Sequence, residues 1–143
     1  MGFTVVVDTN VLVGALIRAS AGSNRRVLRL CLEGHCQALM GGKLFLEFES
    51  VLARDQLFER CPISSAERAE VFEGFAKVCR WVSVHYLWRP NLPDEGDNHL
   101  LELAVAGGAE CIITQNVRDL RGGELQFPQI QVLTPGEFLR KAM

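Results

Sequence analysis

The chain has 143 residues, 48% of them hydrophobic and 22% charged, and a net charge of −2. Such a length suits one domain, residues 1–143, able to bury about two-thirds of its unfolded surface. The charge excludes a general attraction to nucleic acid, so any such binding needs a local basic patch, and no apolar stretch approaches the roughly 18 residues of a membrane span.

Phe3-Thr4-Val5-Val6-Val7 is a β-branched run that predicts a buried strand over 3–7, closed by Asp8. An acid just past such a strand belongs in the crevice at the carboxyl end of an open α/β sheet. The run carries no charged n-region and stops at Asp8, so no signal peptide is expected. A helix follows at about 11–19, then the turn Ser20 to Gly22. Ser23 or Asn24 can cap a second helix over 25–33 that ends near Gly34. Cys36 to Met40 reads as a short strand and Lys43 to Arg54 as a helix. Ser64-x-x-Glu67 is a capping box, opening a helix to about Arg80 with Ala69, Phe72, Phe75, Ala76 and Cys79 turned inward. Trp81 to His85 reads as a third strand, and Asp97 to Ala106 as a helix closed by Gly107-Gly108. Cys111 to Thr114 and Ile130 to Leu133 read as the fourth and fifth strands, and Pro135 opens a terminal helix. Alternation of strands with helices specifies an α/β fold. It is a three-layer α/β/α sandwich around a mostly parallel sheet of about five strands.

Five cysteines, an odd number with no targeting signal, fit reduced thiols in the cytoplasm. Cys31, His35 and Cys36 lie close together but lack a Cys-x-x-Cys pair, so buried thiols are preferred to zinc ligands. His85 and His99 read as surface or packing residues.

Within the helix 43–54, a rotation of about 100° per residue gathers Leu44, Phe48, Val51 and Leu52 into one stripe. Glu47 falls on the flank of that stripe and can lean toward the crevice. Glu49 points away and reads as a solvated charge. The helix from Asp97 carries Leu100, Leu101, Leu103, Ala104 and Val105, so it is buried, and its first-turn acid faces the same edge as Asp8. The fourth strand runs into Thr114-Gln115-Asn116 and reaches Asp119. Asp8, Glu47, Asp97 and one of Asn116 or Asp119 thus form a four-point set drawn from four elements. Each has a bland alternative: a helix cap for Asp8-Thr9-Asn10, a dipole partner for Asp97, a surface acid for Glu47, a turn residue for Asp119. The coincidence of four positions outweighs any one of them.

At these positions the chain resembles the PIN-domain nucleases over nearly all of its length. The matching segments are Val7-Asp8-Thr9-Asn10, Glu47-Phe-Glu-Ser-Val-Leu-Ala-Arg54, and Asp94-Glu-Gly-Asp97-Asn98 with the helix to Gly108. Ile113-Thr114-Gln-Asn116-Val-Arg-Asp119-Leu120 and the closing Leu133-Thr-Pro-Gly-Glu-Phe-Leu139 complete the set, which is most similar to the branch of toxin–antitoxin toxins. The resemblance implies a metal-dependent ribonuclease acting on RNA, with a cognate antitoxin protein as partner and a homodimer as assembly. It implies Asp8 and Asp97 as main metal ligands, with Asn116 and Asp119 as further candidates. It also implies that Glu47 orients a metal-bound water or serves as the base, and that Thr9, Asn10 and Thr114 hold the site by hydrogen bonds. Physical reasoning agrees, because crowded carboxylates raise one another's pKa unless a cation neutralises them. Oxygen-only ligands suit Mg²⁺ or Mn²⁺. Asn116 departs from the family pattern, where an Asp is common; Asp119 can supply the missing charge.

Arg18, Arg25 and Arg26 surround the turn after the first helix, and Lys43, Arg118 and Arg121 lie near other cleft edges. They are candidates for phosphate contacts, with a solvated surface as the alternative. Tyr86 and Trp88 are candidates for base stacking, with packing as the alternative. A catalytically weak or inactive PIN-fold domain that binds RNA or protein is the competing reading, favoured by Asn116. A phosphoacceptor receiver domain needs an Asp after the third strand and a Lys after the fifth. His85-Tyr86 and Thr134-Pro135-Gly136 stand there instead, which removes it.

Overall fold

Five parallel strands in the order β3-β2-β1-β4-β5 form the sheet on which everything else is placed. The structure is a computed structural model that describes residues 2–17, 22–61, 63–84, 98–121 and 129–142; for Asn98, Asp119 and Arg121 it describes the backbone alone. β1 (Thr4–Val7) is central, paired on one side with β2 (Gln37–Met40) and on the other with β4 (Cys111–Ile113). Val5, Val6, Ile112 and Ile113 are completely buried, as expected of central strands covered on both faces. From β1 the chain steps outward through β2 to β3 (Arg80–Trp81), then returns to the other side for β4 and β5 (Gln131–Leu133). α1 (Thr9–Ile17), α2 (Ser23–Leu32), α3 (Gly42–Leu52) and α4 (Ser65–Val78) pack on one another, α1 on α2 and α3, and α2 on α4, as expected where the crossovers of a parallel sheet share one hand. α5 (Asn98–Gly107) packs across β1, β2 and β4. The reversal of strand order between β1 and β4 opens a crevice at their carboxyl ends. This is the three-layer α/β/α arrangement that the sequence predicts.

Several boundaries move for local reasons. α1 begins at Thr9 rather than at 11 because Asp8 caps it: its carbonyl accepts the Val11 N–H at 3.1 Å and its Oδ1 the Thr9 N–H at 2.7 Å. The cap of α2 is Gly22, not Ser23 or Asn24. The Gly22 carbonyl accepts the Arg26 N–H, while the Asn24 side chain takes the Gln115 amide at 2.7 Å. α2 ends at Leu32 with Glu33 as its C-cap, and Gly34 follows near the expected end, with φ of +82° and the His35 N–H returning to the Leu30 carbonyl. Cys31 and Cys36 are buried and His35 lies at the surface.

α3 stops at Leu52, two residues before the predicted end, and a 3-10 turn, Asp55–Phe58, follows. That turn buries Phe58 and rearranges the neighbouring face of α4. Arg68, not Ala69, is the buried residue there. Its guanidinium stacks 4.2 Å from the Phe58 ring centre and donates to Asp55 at 2.8 Å, leaving Ala69 exposed. The capping box of Ser64 and Glu67 is formed in both directions. Phe72 packs on Phe45 and Phe48, and Phe75 on Phe48, which fixes the rotation of α3 about its axis.

β3 is a two-residue edge strand rather than the predicted 81–85, with Leu39 opposite Arg80 and Met40 opposite Trp81. Two features escape the sequence pattern. A helix of five residues, α6 (Val117–Arg121), places Asp119 on a helix instead of a turn. The last helix, α7 (Pro135–Ala142), carries a second capping box: Thr134 and Glu137 bond each other's backbone N–H groups at 3.1 and 2.9 Å.

Candidate active site

Asp8 sits at the floor of the β1/β4 crevice with 5% of its surface exposed. The pairing of Val7 with Ile113 brings Thr114 alongside, and its hydroxyl donates to Asp8 Oδ2 at 2.8 Å. The Asn10 amide reaches the same oxygen at 3.3 Å, and the Asp8 N–H donates to the Ile113 carbonyl. Thr114 Oγ1 in turn accepts the Asn116 N–H at 3.0 Å. Burial chiefly raises the Asp8 pKa above its ordinary value; the Thr114 hydroxyl opposes this and the charge of Glu47 adds to it.

Glu47 reaches the crevice from the middle of α3, on the flank of the stripe that buries Leu44 and Phe48. Its Oε1 accepts the Thr9 hydroxyl at 2.9 Å, and that hydroxyl lies 3.4 Å from Asp8 Oδ1. One threonine therefore spans the two carboxylates. A single hydroxyl proton serves the shorter contact, to Glu47, so the Asp8 contact remains weak. Glu49 is exposed, as its rotation about the helix predicts.

The residue that sequence reasoning missed is His99. Its Nε2 lies 3.0 Å from Glu47 Oε2, and its side chain is 13% exposed. This contact is the main cause of a lowered Glu47 pKa, with burial opposing it and the Thr9 hydroxyl assisting. A signal was available: His99 and Glu102 stand three apart on a helix otherwise apolar from Leu100 to Val105, and so share one side of it.

Asp97, Asp94, Arg18, His85, Tyr86 and Trp88 lie outside the described residues, as does the side chain of Asp119. Asn116 is exposed just before α6. Arg26, Lys43 and Arg118 are exposed, whereas Arg25 donates to the Ala15 carbonyl from Nε and Nη2 and so ties α2 to α1.

A family model described as PIN domain matches residues 4–118. The chain belongs to the PIN-domain family. PIN domains are generally nucleases, and those nucleases usually use divalent metals. Among solved structures, a chain from the crystal structure of VapBC2 from Rickettsia felis, bound to a DNA fragment from their promoter, superposes with a TM-score of 0.57. The two sequences are 12% identical, and the alignment covers 90% of this chain and 96% of that one. Comparison with curated proteins finds no match.

In this PIN domain the described donors suit a hard divalent cation in kind. Asp8 and Glu47 offer only oxygens, and burial disfavours the charged form of Asp8, a cost that a cation would offset. Among the described residues no group of three or more His, Cys, Asp or Glu is gathered closely enough to hold a metal. The remaining candidate acids, Asp97 and Asp119, fall where side chains are not described.

Proposed function

We propose that this protein is a Mg²⁺- or Mn²⁺-dependent endoribonuclease, a single PIN domain over residues 1–143. It acts in the cytoplasm as the toxin of a toxin–antitoxin pair, with a cognate antitoxin protein as its partner and a homodimer as its assembly. The observation that carries the nuclease reading is the Thr9 hydroxyl joining the Asp8 and Glu47 contacts at the topological switch of the sheet. The antitoxin reading rests on the motif resemblance and on the likeness to a chain of VapBC2. The described part holds no helix long and apolar enough to cross a membrane.

In this reading Asp8 and Asp97, with Asn116 or Asp119, hold the cation. When bound, the cation supplies positive charge to the scissile phosphate and lowers the pKa of a water. Thr114 and Asn10 fix the orientation of Asp8 through Oδ2. His99 favours the ionised form of Glu47, whose oxygens accept a hydrogen bond from the attacking water and align it. The water oxygen bonds to phosphorus, its proton passes toward Glu47, the bond from phosphorus to the leaving ribose oxygen breaks, and that oxygen takes up a proton from solvent water. Arg26, Lys43 and Arg118, with Arg18 and Arg25, are the candidate phosphate contacts. The test is incubation of a mixed RNA pool with Mn²⁺ and with chelator. Cleavage only with Mn²⁺ is expected, and no difference between the two removes the proposal.

Asn116 favours a second reading, an RNA- or protein-binding domain without catalysis, because it carries one charge fewer than the family pattern. Retained RNA binding with no metal-dependent cleavage would select it.

Metal should also stabilise the fold. At about one hundred times Kd, linkage supplies about 2.7 kcal/mol, which corresponds to a rise in Tm of about 5–10 °C for a domain of this size. Superimposable melting curves in Mn²⁺ and in chelator would show that no cation site is assembled. If Asp119 provides the fourth charge, Asp119→Asn should weaken apparent Mn²⁺ affinity by roughly tenfold, by loss of a carboxylate ligand. Cleavage should then be partly restored by excess Mn²⁺. Asn116→Asp should tighten the same affinity. Metal titration of both variants decides the matter: an unchanged affinity in Asp119→Asn assigns the position to Asn116.

A further inference from the structure

Asn10 holds Asp8, and a further set of contacts holds Asn10. The backbone N–H of Gln115 donates to Asn10 Oδ1 at 3.2 Å. A backbone N–H can only donate, so the oxygen of that side-chain amide must face Gln115. Nδ2 is thereby turned to Asp8 Oδ2, 3.3 Å away, and to Thr114 Oγ1 at 3.4 Å. Without Gln115 the amide is free to flip and set its oxygen against the carboxylate, which has no proton to give when ionised.

Gln115 is itself tied down from a third element. Its Nε2 donates to Asn24 Oδ1 at 2.7 Å, across 91 positions of the sequence. Asn24 lies in the first turn of α2, and that turn is fastened to α1. Arg25 beside it donates to the Ala15 carbonyl from Nε and Nη2, at 3.2 and 3.0 Å. Gly14 makes the close approach possible. It stands four residues after Asn10, on the same face of α1. A Cβ at Gly14 would overlap the side-chain amide of Asn24. Glycine weakens a helix interior relative to alanine, so what it provides here is room.

We infer that Gln115, Asn24 and Gly14 are positioning residues of the candidate site. They act on Asp8 through Asn10, and they fix the strand exit Thr114-Gln115-Asn116 that delivers Asn116. The three line one groove of about 880 Å³ together with Thr9 and Asn10, and Gln115 is exposed. The tie therefore crosses open surface, where a contact adds little to the stability of the fold. What it supplies is the orientation of a carboxylate. The inference rests on the nuclease reading only for the use made of Asp8.

Gly14→Ala separates this role from a structural one. Helix propensity predicts that alanine leaves Tm unchanged or raises it. The added Cβ displaces only the end of the Asn24 side chain, and so breaks the tie without opening the core. Nitrogen-15 NMR in chelator reads the Asn10 side-chain amide without metal or RNA. Its protons should exchange with water severalfold faster in Gly14→Ala, Gln115→Leu and Asn24→Leu than in the parent. Asn24→Asp, whose carboxylate still accepts from Gln115 Nε2, should exchange like the parent. Apparent Mn²⁺ affinity, titrated by electron paramagnetic resonance, should fall about 2–10-fold in the same three variants, the effect of one hydrogen bond. Unchanged exchange in Gly14→Ala and Gln115→Leu overturns the inference. So does a lowered Tm in both with Mn²⁺ affinity kept, the result for a tie that serves only the fold. If the unmodified protein takes up no Mn²⁺, the metal reading falls and the exchange rates alone decide. Faster exchange in the variants of a parent that cuts no RNA removes the nuclease and leaves the positioning roles.

Discussion

Asp8→Asn is expected to reduce the proposed RNA cleavage by about a thousandfold or more, a loss of at least about 4 kcal/mol of transition-state stabilisation, while the protein remains folded. The substitution keeps the size of the side chain and removes the charge at the floor of the crevice. Asp97→Asn is expected to do the same, and Glu49→Gln, on the exposed side of α3, to change little. The fold offers an independent readout. Because the Asp8 pKa is raised, the folded, metal-free protein binds that proton more tightly than the unfolded chain does. Its contribution to stability is complete below the unfolded pKa and is lost as pH rises through the raised folded value. Asp8→Asn lacks this loss. It should melt a few degrees above the parent at neutral pH without metal, roughly 2–4 °C for each 1 kcal/mol, and together with it at acid pH. Wild-type cleavage by Asp8→Asn would remove Asp8 from the reaction. Coincident melting at both pH values would show that Asp8 carries no buried charge.

Glu47→Gln is the second large loss, about 10²–10⁴-fold in kcat for a group that positions or deprotonates the attacking water. The amide keeps an oxygen for the Thr9 hydroxyl, but it is uncharged and offers His99 a weaker acceptor. The linkage here has the opposite sign. With a lowered folded pKa, Glu47 contributes stability above the unfolded value and loses it as pH falls through the folded one. The side chain is more than a third exposed (37%), and screening by solvent makes that contribution small. In single-turnover cleavage with saturating Mn²⁺, a Glu47→Gln rate within threefold of wild type would assign the residue to support of the fold alone.

Asp8 and Glu47 were legible because two periodicities announce them. A β-branched run ends at one, and a helical stripe of Leu44, Phe48, Val51 and Leu52 fixes the flank that bears the other. The five-strand alternation was legible for the same reason, each strand being short, apolar and bounded by turn residues. α6 was hidden because Val117 to Arg121 is too short to show a period. Ala69 is exposed where the helical repeat predicts burial, because that repeat says nothing about the turn at Asp55–Phe58, whose Phe58 and Asp55 draw Arg68 inward. His99 is not legible as a site residue because a lone histidine carries no pattern of its own. Only the packing of α5 on the sheet beside α3 brings its ring to Glu47. The second capping box, at Thr134 and Glu137, has the same Thr/Ser-x-x-Glu spacing in the sequence as the first.

The hydrogen bond between Thr114 and Asp8 joins residues 106 positions apart. Nothing local in the chain orients that carboxylate from Thr114; only the register of β1 against β4 does, with Val7 opposite Ile113. Pairings of such sequence separation form late, after the loop-closure entropy of the whole intervening segment has been overcome. During synthesis the amino-terminal strand can acquire β2 as a neighbour while its reactive end is still unfinished. In the nuclease proposed above, a nascent chain that has not yet reached Thr114 lacks this contact to Asp8, and a fragment ending before Thr114 is expected to be inactive.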